Sequence, residues 1–130
     1  MKGGGRERVF VYGSLKRGFS LYHYLRGPDA AFLEPAAMAG YALYRTESGY
    51  PGAVPDEGGE VWGEVFEVEP ALLERLDDLE DEGRVYERVL SGLVAEGGRR
   101  YEAWVYVYRK GVRAKHRIPS GVWTEEEEGG

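Results

Sequence analysis

Tyr101-Glu102-Ala103-Trp104-Val105-Tyr106-Val107-Tyr108 is polar only at Glu102. A half-buried strand would show polar residues at every second position. Here both faces are apolar, as expected of a strand covered on both sides. Upstream, residues 86–95 read as a second strand, and Gly97-Gly98 between the two is a hairpin signal. Further back, Pro70 suits the first position of a helix, residues 71–82 carry leucines at 72, 73, 76 and 79, and Gly83 stops the run. Residues 38–46 and 60–68 read as strands, separated by the turn signals Gly49-Tyr50-Pro51-Gly52 and Pro55-Asp56-Glu57-Gly58-Gly59. Residues 8–12 form a short apolar strand that meets a turn at Gly13. Residues 20–26 fit two helical turns, capped by Ser20 and halted by Gly27-Pro28. The pattern predicts one strand-heavy α+β domain over 1–130 with a single well-marked helix. Its core spans about 8–123, and 124–130 is expected to be a disordered acidic tail. Thr124 and Glu127 have a capping-box spacing, but the glutamates and glycines around them favour a solvated end.

Composition narrows the function classes. A chain of 130 residues, 42% of them apolar, can bury a core without staples. It has no cysteine, which excludes disulfides, thiol catalysis and zinc-thiolate sites. Its two histidines, His23 and His116, give no metal-ligand pattern, so no metal or cofactor is expected. No run approaches the ~20 apolar residues of a membrane span, and no apolar region follows the first charges, so a cytoplasmic protein is expected. The net charge is −6, but four of the 23 acidic residues lie in the run 125–128, leaving a nearly neutral body. Nucleic acid and anionic membrane are therefore not expected partners. Asn and Gln are absent and Arg and Glu abundant, a pattern shared by thermophile proteins and by GC-rich coding. A melting temperature in the mesophile range would remove the first explanation.

The helix at 71–82 breaks its own pattern. At about 100° per residue from Leu72, Leu79 falls near ~340°, Leu76 near ~40° and Leu73 near ~100°. Glu80 lands near ~80°, inside the leucine arc, while Asp78 and Arg75 lie outside it and Asp77 sits at its margin. Asp77, Asp78, Glu80, Asp81 and Glu82 also crowd the helix C-terminus, where the macrodipole disfavours negative charge. Asp77–Asp81 and Asp78–Glu82 are like-charged i,i+4 pairs. Burial, dipole and neighbours are all expected to raise the Glu80 pKa, which suits a general acid–base group. The competing reading pairs Glu80 with Arg84 or Arg88 in a solvated acidic patch.

Tyr12-Gly13-Ser14-Leu15-Lys16-Arg17-Gly18 leaves the first strand and turns. Gly13 would let successive N–H groups converge into an anion-binding nest, with Lys16 and Arg17 adding charge beside it. The competing reading is an ordinary turn with solvated cations. The loop is not a phosphate loop, because Phe19 follows Gly18, and it is not a dinucleotide fingerprint either. Ser14 also lacks the Gly-x-Ser-x-Gly setting of a nucleophile elbow.

Five stretches taken in order resemble the gamma-glutamylcyclotransferase-like family, closest to its gamma-glutamylaminecyclotransferase branch. They are residues 9–18, Tyr50-Pro51-Gly52-Ala53-Val54, residues 61–68, Leu76-Asp77-Asp78-Leu79-Glu80 and Tyr86-Glu87-Arg88. The resemblance implies a small mixed β-barrel with flanking helices. It implies that Tyr12, Gly13, Ser14 and Leu15 border the substrate pocket and that Glu80 is the acid–base residue. It also implies cyclisation of a small-molecule gamma-glutamyl amide through its own α-amine, releasing 5-oxoproline and an amine without a cofactor. Leu21, where the pattern has asparagine, and Asp81, where it has glycine, depart from the family. The alternative function is a non-catalytic metabolite-binding or interaction module on the same scaffold.

Overall fold

The computed structural model describes residues 5–129. Its strands are β1 (Glu7–Val11), β2 (Ala30–Arg45), β3 (Pro51–Val68), β4 (Tyr86–Ala95), β5 (Arg100–Tyr108) and β6 (Arg117–Ile118). Helix α1 (Pro70–Leu79) joins β3 to β4, α2 (Glu125–Gly129) ends the chain, and single 3-10 turns occupy Tyr22–Leu25 and Ala114–His116. The sheet runs β3-β1-β5-β4-β2-β6, and β2 also pairs β3, so the first five strands close on themselves. Only β1 and β5 run parallel; the other pairs are antiparallel. The fold is thus the small mixed barrel that the sequence motifs led us to expect.

Closure explains the doubly apolar strand. Along β5, Ala103, Val105 and Val107 join one apolar cluster with Phe10, Met38, Val61 and Trp123. The alternate residues Trp104, Tyr106 and Tyr108 join a second cluster with Leu72, Leu73 and Leu76 of α1. One face fills the barrel and the other is covered by the helix, so neither needs polar residues.

Several elements depart from their sequence-based bounds. Strands β2 and β3 form one long hairpin in which residues 56–59 are an excursion and the expected turn at 55–59 does not end the strand. The register steps from Ala39 opposite Glu60 to Tyr41 opposite Pro55. Gly59 permits the step, because a Cβ there would lie 2.2 Å from the Tyr41 carbonyl oxygen. Within residues 20–26 only a 3-10 turn, Tyr22–Leu25, forms in place of two capped helical turns, and the Ser20 hydroxyl donates to Glu128 instead of capping it.

Of the expected disordered tail over 124–130, residues 124–129 are described and Gly130 lies outside the described residues. Gly121, at φ +72°, crosses β3 so closely that a Cβ would lie 2.1 Å from the Glu60 carbonyl oxygen. Trp123 then enters the barrel cluster fully buried. Residues 125–129 follow as a short helix, with Glu127 on Arg45 and Glu128 on Ser14 and Ser20. Composition by itself does not show these partners. Among the described residues no helix is long and apolar enough to cross a membrane.

Candidate active site

Leucines 72, 73 and 76 are buried and hold α1 against the barrel. Its last helical residue is Leu79, one turn earlier than the sequence suggests, with Glu80 as the C-cap. The Glu80 N–H still donates to the Leu76 carbonyl at 2.9 Å and its φ is −87°. A side chain's direction is set by the backbone up to its own Cα, so Glu80 keeps the heading a continued helix would give. The angular reading therefore holds although the helix has ended.

The chain leaves through a Schellman closure. The Glu82 N–H donates to the Asp77 carbonyl (2.9 Å) and the Asp81 N–H to that of Asp78 (3.2 Å), with Asp81 left-handed at φ +52°. Glycine is the usual residue there because it adopts that conformation without strain. The departure at position 81 is thus an aspartate in a backbone slot that favours glycine.

Glu80 lines a cavity of about 370 Å³ together with Tyr12, Gly13, Ser14 and Leu15. The structure brings together all five residues singled out in the sequence. Gly13 owes its place to close packing rather than to φ, since a Cβ would lie 2.1 Å from Pro51 Cγ. Of the loop amides, that of Lys16 donates to the Gly13 carbonyl (3.0 Å) and that of Arg17 to Glu64 (2.9 Å). Among the described residues, the amides of Ser14 and Leu15 have no acceptor within the protein. The cations expected beside the loop turn away from the cavity. Lys16 Nζ donates to the Trp123 carbonyl (2.8 Å), and Arg17 pairs with Glu64 and stacks on Phe32. Leu21 lines the cavity, and its backbone N–H braces the loop through the Ser14 carbonyl (2.8 Å). The main chain supplies that brace whatever the side chain at 21.

Burial raises the Glu80 pKa to about 7. Burial is its cause, and the neighbouring acids are paired or exposed. Asp77 is held by Arg88 (2.7 and 3.1 Å), Asp81 lies 3.7 Å from Arg84, and Asp78 and Glu82 are exposed, where water screens them. The pairing of Glu80 with Arg84 or Arg88 does not form either. Tyr12, Tyr86 and Tyr106 surround the cavity with Glu80, yet their hydroxyl protons are committed elsewhere. Tyr12 donates to the Tyr106 carbonyl (2.7 Å), Tyr86 to the Pro51 carbonyl, and Tyr106 to Asp77 Oδ1 (2.7 Å). Each of these phenols has its pKa raised, foremost by burial, and stays neutral. Glu80 is left as a carboxyl in a half-dry, apolar-walled cavity with no donor of the described residues engaging it.

Sequence reasoning missed the arrangement around Asp77. Arg88 from β4 and Tyr106 from β5 converge on its carboxylate, pinning the helix end to two strands. The signal was present in the marginal wheel position of Asp77, but only strand register shows which cation meets it. Tyr50, Pro51, Tyr86 and Tyr106 likewise join the cavity from distant segments.

The small mixed barrel thus presents one buried carboxyl to a cavity walled by the loop 12–15. Residues 9–125 match the family described as gamma-glutamyl cyclotransferase, AIG2-like. The gamma-glutamylcyclotransferase family protein YtfP of Escherichia coli (strain K12) is 37% identical over 120 residues, covering 92% of this chain and 98% of the relative. A gamma-L-glutamyl-butirosin B gamma-glutamyl cyclotransferase of Niallia circulans is 33% identical, covering 78% and 67%. The crystal structure of an uncharacterised protein from Pyrococcus horikoshii superposes with a TM-score of 0.72 at 32% identity, covering 90% of this chain and 89% of that one. The chain belongs to the gamma-glutamyl cyclotransferase, AIG2-like family and is an enzyme of the gamma-glutamylcyclotransferase type.

Proposed function

We propose that this protein cyclises gamma-glutamyl amides of small amines to 5-oxoproline, with Glu80 as the general acid–base group. The observation that supports this most is the Glu80 carboxyl: buried enough to titrate near neutrality, without a partner, and facing the cavity that the loop 12–15 lines. The name of the Niallia circulans relative, which specifies a gamma-L-glutamyl substrate, is in keeping with it.

The reaction needs little from the protein. The substrate's α-amine attacks its own γ-carbonyl, closing a five-membered lactam; one C–N bond forms and the amide C–N bond breaks. Such ring closures have a high effective molarity, so no protein nucleophile is required. Glu80 as carboxylate takes, in turn, the two protons that the α-ammonium loses and returns both to the leaving nitrogen, which departs as an ammonium ion. The amides of Ser14 and Leu15 are the donors free to meet the oxygen that gains charge. No water is consumed.

The test is release of 5-oxoproline from a panel of gamma-glutamyl amines, gamma-glutamyl dipeptides and glutathione. We expect turnover of at least one member, with kcat/KM falling about tenfold per pH unit below pH ~7 as Glu80 takes up its proton. Glu80→Gln should lower kcat by about 10²–10⁴-fold with the fold intact. Undiminished release by that variant would remove Glu80 from the chemistry. Binding of a gamma-glutamyl amine without turnover would turn the reading to a metabolite-binding module.

A further inference from the structure

The C-terminal helix places a carboxylate on the pocket loop. Glu128 Oε2 accepts the Ser14 hydroxyl at 3.1 Å and the Ser20 hydroxyl at 2.9 Å, while Oε1 accepts the Trp123 indole N–H at 3.3 Å. The segment is anchored on both sides of this contact. Trp123 is buried in the barrel, Lys16 donates to its carbonyl, and Arg45 holds the Glu127 side chain and carbonyl at 2.9 and 2.6 Å. A chain end in solution would not engage three separate elements at once.

The consequence lies in the chemistry of a hydroxyl. Serine has one proton to donate and two lone pairs to accept with. Ser14 is buried, lines the cavity, and has its proton committed to Glu128. Toward the cavity its oxygen can only accept. It therefore suits an N–H donor and offers nothing to a carboxylate. Under the lactam-forming reading, on which this inference rests, the substrate's N–H donor that must be aimed is the α-ammonium that loses a proton to Glu80. We propose that Glu128 is a positioning residue: it fixes the Ser14 hydroxyl as an acceptor that orients the α-nitrogen of a gamma-glutamyl substrate toward its γ-carbonyl.

The test measures affinity where turnover is blocked. In a Glu80→Gln background, the dissociation constant for gamma-glutamylmethylamide is determined by calorimetry with Glu128→Ala, Ser14→Ala and both together. A hydrogen bond to a charged group corresponds to about a tenfold change in affinity. Glu128→Ala should therefore weaken binding roughly tenfold, and Ser14→Ala by a similar factor. The double variant should bind no worse than Ser14→Ala alone, because Glu128 acts through that hydroxyl. Glu128→Gln, which keeps an acceptor oxygen for both serines, should remain within about threefold of its parent, and it serves as the informative variant if Glu128→Ala melts early. A general loosening of the fold would instead give additive losses, and additivity overturns the proposal. Tighter binding by Glu128→Ala also overturns it, since the carboxylate would then be competing with substrate for Ser14. Binding that behaves as expected, with no 5-oxoproline released by the unmodified protein, would defeat the lactam-forming reading alone. Absence of any binding defeats both.

Discussion

Two stretches of this chain carry dense negative charge, residues 77–82 after α1 and residues 125–128 at the end. In sequence they look alike. In the folded protein the carboxylates of the second stretch that reach the body meet donors: Glu127 meets Arg45, and Glu128 meets two serines and an indole. The first stretch is divided within a single turn. Asp77 is clasped by Arg88 and Tyr106, while Glu80, three residues on, faces the cavity without a donor and is pushed up to about 7. Charge density does not raise a carboxyl's pKa. Burial without a donor on the carboxyl does.

The harshest way to break this contrast is to remove the clasp. Asp77→Ala leaves a half-buried guanidinium and a buried phenol without their acceptor, and should cost about 2–3 kcal/mol in urea unfolding. It should also lower kcat/KM, because the helix end that carries Glu80 loses its tie to β4 and β5. Unaltered stability would mean that Asp77 is a bystander.

Glu80 itself gives a subtler test, with a definite sign. Its folded pKa of about 7 lies above the unfolded 4.5, so the native state binds the proton more tightly. Stability is therefore fully favoured below pH ~4.5, declines as pH rises through the window from ~4.5 to ~7, and levels off above it. Glu80→Gln should flatten that decline and be the more stable protein at pH 8, on the order of 1–2 kcal/mol after allowance for solvent in the cavity. Parallel pH–stability curves for the two proteins would show that burial does not hold this carboxyl protonated.

On the other side of the contrast, Arg45→Ala removes the cation from Glu127. The pair is only half-buried, so a loss of about 0.5 kcal/mol in chemical unfolding is expected. A loss several times larger would make the chain end a core element rather than a strap. The other small effect is a gain. Asp81→Gly relieves a left-handed backbone position and should stabilise by about 0.5–1 kcal/mol, visible as a raised melting temperature.

How far the sequence could be read follows from which interactions are local. Both strands of the β4–β5 hairpin, the start of α1 at Pro70 and the heading of Glu80 came from periodicity and turn chemistry, which act over a few residues. The extension of β2 and β3 past residues 56–59 was not legible, because the stepped register depends on Gly59 passing close to the Tyr41 carbonyl while Tyr41 pairs with Pro55. Gly13 was rightly expected to matter, but for a turn; its reason is Pro51, which is distant in sequence.

By itself the sequence determined the doubly covered strand, the leucine face of α1 and the inward heading of one carboxylate, since each depends only on residue spacing along a regular backbone. The tertiary structure alone decided which acidic groups would find partners, which hydroxyls would have their protons engaged, and that the glutamate-rich end would return to the pocket loop. Those outcomes depend on barrel closure, which sets segments far apart in the chain within hydrogen-bonding distance of one another.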